Sequence, residues 1–132
     1  MSFPGCGLLT PDLLTESAHV TIIMVMMGRE PFTLIYDPKV IEHLEAIESK
    51  YHSLIRAGIE EQLLYEPETA TRNRKPLDRP VEFGAKWELR LGQDNRFRVF
   101  YRVSLDQREV RILAMGVKDR NRLFLGGKEV EL

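Results

Sequence analysis

The chain is 132 residues long, 43% apolar and 30% charged, with a single cysteine, Cys6. That is material for one domain with one core, and it excludes a second domain of ordinary size, wholesale disorder, a disulfide framework and a multi-cysteine zinc site. The net charge of −1 hides a split: residues 1–71 carry four basic and eleven acidic groups, and residues 72–122 carry fourteen basic and seven acidic, a pattern that suggests a polyanion-binding surface in the second stretch.

Residues 1–30 differ from the rest. They contain Pro4, Gly5, Gly7 and Pro11, then the apolar run Val20 to Met27. No run reaches the roughly 18 apolar residues that a membrane span needs. No Lys or Arg precedes Arg29, so a signal peptide is not expected and the cytoplasm is the default location. The leader reads as lying outside the core fold, with a start codon assigned upstream of Met26 or Met27. The alternative is a short segment docked through Val20, Ile22, Ile23 and Val25.

From Phe32 the pattern sharpens. Residues 32–36, FTLIY, are β-rich and short and predict a strand. Asp37-Pro38 fits a helix N-cap followed by proline at the first helical position. Val40, Ile41, Leu44, Ile47 and Tyr51 then recur at three- and four-residue spacings, which predicts a helix with one apolar face. A second helix is expected from about Ser53 to Leu64, with Leu54, Ile55, Ile59, Gln62 and Leu63 as its stripe and Gly58 as a weak point. Residues 71–80, TRNRKPLDRP, read as a basic, proline-punctuated loop. Period-2 runs follow at 85–91, 96–104 and 109–115, separated by turn residues at 92–95 and 106–107. They predict an antiparallel meander. The expected fold class is therefore α+β: an N-terminal strand, a helix hairpin, then three antiparallel strands.

Side chains alternate across a strand. Trp87, Leu89 and Leu91 share a face, as do Phe97, Val99, Tyr101 and Val103. These faces must meet the helices, because burying an unpaired Arg costs far more than exposing a Phe. The other face then collects Lys86, Arg90, Arg96, Arg98 and Arg102 around Glu88, with Phe100 among them. That is an electrostatic footprint suited to a phosphate backbone. The bland alternative is a solvated sheet face that carries cations to discourage edge pairing.

Catalytic signals are sparse. His19, His43 and His52 all precede the basic region, and His43 and His52 read as surface or helix-end residues. There is no Gly-rich phosphate loop, no metal-spaced ligand set and no serine elbow. Gly126-Gly127 reads as a turn. Any cleavage by this surface must use Lys, Arg, Tyr or Glu. RNA suits that restriction, because its 2′-hydroxyl supplies an internal nucleophile and the protein need only orient phosphate, offset charge and move protons.

The segments Trp87-Glu88-Leu89-Arg90, Arg96-Phe97-Arg98-Val99-Phe100-Tyr101 and Met115-Gly116-Val117-Lys118-Asp119-Arg120-Asn121-Arg122-Leu123-Phe124 resemble RelE/ParE-superfamily toxins of bacterial type II toxin–antitoxin systems. The closing residues 126–132, GGKEVEL, are similar to one RelE-like branch. The resemblance covers about residues 31–132 and implies a small curved sheet packed on the helices. It implies a ribosome-dependent mRNA endoribonuclease that works without metal or other cofactor. Its implied partners are a cognate antitoxin and the ribosome with bound mRNA, and no membrane.

By motif position, the resemblance makes Arg98 the ligand of the scissile phosphate and Lys86 and Lys118 further basic site residues. Arg90, Arg96, Arg102, Arg120 and Arg122 stand as phosphate ligands around them. Two positions depart from the pattern. Glu88 stands where the RelE prototype has its general-base lysine, and Phe124 stands where a functional tyrosine occurs. A ParE-like gyrase inhibitor without nuclease activity, and a degenerate member that only binds antitoxin or RNA, are the alternatives.

Overall fold

The computed structural model describes residues 30–131. The leader expected over residues 1–30 lies outside the described residues, Glu30 excepted.

β1 (Thr33–Tyr36) leads into α1 (Lys39–Glu45). Asp37 starts the helix as its sequence suggests: its Oδ1 accepts the Lys39 N–H at 2.9 Å. α1 is shorter than the apolar spacing predicts. The chain leaves the helix near Ala46, passes a 3-10 turn at Ser49–Tyr51, and enters α2 (His52–Leu63). His52 explains the break. Its Nε2 lies 2.9 Å from both the Leu44 and Ile47 carbonyl oxygens, so it meets carbonyls that a continued helix would have bonded. α2 runs unbroken through Gly58. A Cβ there would lie 2.6 Å from the Leu91 side chain, so the glycine lets the helix approach the sheet closely.

The expected meander is present as β3 (Trp87–Leu91), β4 (Phe97–Ser104) and β5 (Glu109–Asp119), but it is part of a seven-stranded sheet. β2 (Arg74–Pro76) adds an edge beside β3, and β6 (Arg122–Leu125) and β7 (Lys128–Val130) extend the other side. The loop expected at 71–80 thus contributes a strand. Arg74 holds it there. This buried guanidinium donates to the Thr69 carbonyl at 2.8 Å and to the Gln62 carbonyl at 2.6 Å, near the end of α2. The tail is a hairpin closed at Gly126–Gly127, where both residues have positive φ. β5 is long enough to serve two neighbours on one edge. Its first half pairs with β1 in parallel and its last residues pair with β6 antiparallel.

The predicted apolar face packs as expected. Leu89, Val99, Tyr101 and Ile112 meet Val40, Ile55, Ile59 and Leu63 from the helices. The Tyr101 hydroxyl donates to the Pro67 carbonyl at 2.6 Å inside this core.

The opposite face is not the open cationic surface expected from alternation. Phe100 is fully buried there, with Ala85, Leu113, Ala114 and Leu123. Phe83, from the segment after the basic loop, lies edge-on to it at 5.6 Å. A bulge assists: Phe100 faces Ala114 and Tyr101 faces Ile112, so β5 carries one extra residue, Leu113, and places it beside Ala114 in this second core.

Leu89 is fully buried between α2 and the sheet. Leu89→Ala is expected to lower unfolding stability by about 2–5 kcal/mol, measured by urea titration. Lys75→Ala, at an exposed position, should stay within about 0.5 kcal/mol of the parent.

Candidate functional site

A cleft of about 750 Å³ opens where the C-terminal end of β5 meets the turn before β4 and the end of α1. It brings together five residues singled out by sequence: Arg96, Arg98, Lys118, Arg120 and Phe124. The Lys118 N–H donates to the Arg96 carbonyl at 2.7 Å, which ties the β3–β4 turn to the end of β5. The Arg96 guanidinium rests 5.2 Å from the Tyr51 ring centre and 5.5 Å from that of Phe97, so stacking on aromatic faces holds an exposed cation in place. Arg120 sits on the two-residue turn between β5 and β6 with φ of 60°, a backbone conformation that non-glycine residues seldom adopt.

Arg98 is at the cleft but is not free. It is buried, its Nε donates to the Asn95 carbonyl at 2.9 Å, and its Nη1 meets Glu88 Oε2 at 2.9 Å. Glu88 Oε1 accepts from Arg90 Nε at 3.0 Å. One carboxylate therefore joins two guanidiniums. The strand register produces this arrangement: Arg90 stands directly opposite Arg98, and Glu88, opposite Phe100, lies on the diagonal. A lone carboxylate between two facing arginines relieves a repulsion that would otherwise destabilise the strand pair. Glu88 does not line the cleft. Both of its oxygens are engaged, which leaves it poorly placed for the role of proton acceptor.

The other expected site residues lie apart from the cleft. Lys86 N–H donates to the Tyr101 carbonyl at 3.0 Å, so Lys86 stands level with Arg102, roughly 13 Å along the strand from Arg98. Lys86 and Arg102 are both exposed. The bulky cover over Phe100 separates their end of the sheet from Arg98. Arg122 points to Glu129 at 3.4 Å and lies 5.7 Å from the Phe124 ring.

The cleft also holds groups that sequence reasoning did not place there. Glu48, Asp94 and Asp119 are exposed and line it, against the four cations Arg96, Arg98, Lys118 and Arg120. The surface is mixed rather than purely cationic. His43 lines it too, although the basic face seemed to lack an imidazole. The available signal was spacing: His43 falls three residues after Val40, on the face of α1 that turns inward. The Met115 N–H donates to His43 Nδ1 at 3.1 Å. In the neutral ring the proton therefore resides on Nε2, which makes the imidazole a donor and not a base. Burial holds its pKa below the ordinary value, with partial opposition from Glu42. Among the described residues no three His, Cys, Asp or Glu side chains cluster as metal ligands, and no helix is long and apolar enough to cross a membrane.

No family model matches the chain, and no curated protein matches it in sequence. Among solved structures, a chain in the crystal structure of the toxin–antitoxin complex RelBE2 from Mycobacterium tuberculosis is similar at 23% identity. The match covers 67% of this chain and 92% of that one, with a TM-score of 0.54. The fold is RelE-like.

The depressed His43 pKa has a sign for stability. Below about pH 6.5 the unfolded chain takes up a proton that the folded site resists, so this contribution is present above that pH and is lost as pH falls. The His43 resonances should titrate with a midpoint below 6.5, followed by NMR. His43→Gln should flatten the loss of stability between about pH 7.5 and about pH 5.5 relative to the parent.

Proposed function

We propose that this protein is the toxin of a toxin–antitoxin module and that it cleaves mRNA on the ribosome. The observation that supports this most is the cleft at the end of β5, where Arg96, Arg98, Lys118, Arg120 and Phe124 line one space. Cations there can hold a phosphodiester and offset the charge that grows on its oxygens as a 2′-hydroxyl attacks. A flat ring beside them can stack a base. The RelE-like fold is consistent with this reading.

The cleft is a weak enzyme by itself. His43 offers an N–H and no lone pair to a substrate, and Glu88 is occupied by arginines. Proton removal from the 2′-hydroxyl falls to an exposed cleft carboxylate or to solvent. Rate then depends on alignment of the RNA for in-line attack, which the decoding site of a ribosome supplies. The partner that keeps the toxin silent is a cognate antitoxin, as the RelBE2 toxin–antitoxin complex is itself an assembly of two kinds of protein. The protein works in the cytoplasm and uses no cofactor.

The engagement of Arg98 by Glu88 favours a second reading: a ParE-like toxin that poisons DNA gyrase through protein contacts, with the arginine kept as a structural ion pair. Induction in cells separates the two. The first reading expects rapid arrest of translation and new mRNA 5′ ends within codons. The second expects double-strand DNA breaks and an SOS response with translation initially intact. Under the first, Lys118→Ala should lower the rate of mRNA cleavage on purified ribosomes by about 10²-fold. It should also reduce the slope of log affinity against log salt by about 0.7 for single-stranded RNA. Unchanged cleavage by Lys118→Ala removes the cleft from the mechanism.

A further inference from the structure

A phosphate that approaches Arg98 finds most of the guanidinium already used. Nε is bound to the Asn95 carbonyl and Nη1 to the Glu88 carboxylate, which leaves Nη2 for a ligand. An arginine that meets a phosphate through one nitrogen lacks the two-nitrogen fork that makes such contacts strong. Glu88 is also the partner of Arg90, is largely buried, and does not itself line the cleft. Its charge therefore acts on the site only through the arginine it holds.

We propose that Glu88 is a built-in counter-anion of the cleft: it occupies the position on Arg98 that a phosphoryl oxygen would take, and a polyanion binds fully only by displacing it. Arg90 makes the exchange possible, because a carboxylate released by Arg98 keeps a guanidinium partner and is not left buried and unpaired. The device makes Glu88 a positioning residue, and it sets a threshold for binding. A single phosphate or a poorly aligned strand does not repay the broken ion pair, whereas an RNA that also engages Arg96, Lys118 and Arg120 does. The inference rests on the reading of the cleft as a phosphodiester site.

The test uses the full-length chain, a short single-stranded RNA and inorganic phosphate. Glu88→Gln removes the competing charge and keeps the shape. It should bind the RNA about tenfold tighter at low salt, and its slope of log affinity against log salt should steepen by about 0.7 as one more phosphate contact forms. Its melting temperature should rise with added inorganic phosphate more than that of the parent, because phosphate supplies Arg98 with the partner the substitution removed. A purely structural ion pair predicts the reverse: equal or weaker RNA binding and no gain from phosphate. That result overturns the proposal. So does a Glu88→Gln chain that fails to fold even in phosphate, since phosphate then cannot stand in for the carboxylate. Lys118→Ala in the parent background separates this failure from that of the cleft. If Lys118→Ala weakens RNA binding and Glu88→Gln does not strengthen it, only the counter-anion idea falls. If Lys118→Ala binds as the parent does, the phosphodiester reading falls with it.

Discussion

The central strands of this sheet are covered on both faces, and that double burial governs where charge can lie. Helix residues such as Ile55 and Ile59 cover one side of β4 and β5. Phe83, Ala85 and Leu123 close over Phe100 on the other. A guanidinium cannot remain unpaired under such a cover. The arginines of β3 and β4 therefore reach solvent only at the strand ends, or share a carboxylate. Arg102 does the first and Arg98 does the second. The cleft lies beside the first core rather than the second, with Ile47, Tyr51, Phe97 and Val117 in its lining.

Much of the fold was legible in the residues themselves. The strand at Thr33–Tyr36, both helices and the three-strand meander follow from periodicity and turn chemistry, because each element carries its own repeat. The edge strand β2 and the two C-terminal strands β6 and β7 did not follow, for a physical reason. A three-residue strand such as Arg74–Pro76 has no alternation to detect. Arg74 is buried by carbonyl oxygens that only the folded chain brings within reach.

The site was legible by parity but not by register. Alternation correctly puts Glu88, Arg90, Arg98 and Phe100 on one side of the sheet. It cannot say that Glu88 falls on the diagonal to Arg98, or that the segment around Phe83 folds back to bury Phe100. Residues separated along the strand, such as Lys86 and Arg98, looked like one patch because parity carries no information about distance. His43 was missed for a related reason. Its surroundings depend on Met115, which is remote in sequence and becomes its neighbour only when β5 packs beside α1.

The division of one edge of β5 between β1 and β6 has a consequence for how the protein is made. β1 leaves the ribosome well before its pairing partner, Glu109–Ile112. Contacts so distant along the chain form slowly, and the emerging strand waits unpaired while the rest is synthesised. The far wall of the cleft arrives later still, because Phe124 and the Gly126–Gly127 turn follow every other part of it. A nascent polypeptide stalled before those residues thus carries arginines and helices but no enclosed site. The space that would hold a phosphodiester is thus enclosed only after Gly127 has joined the chain.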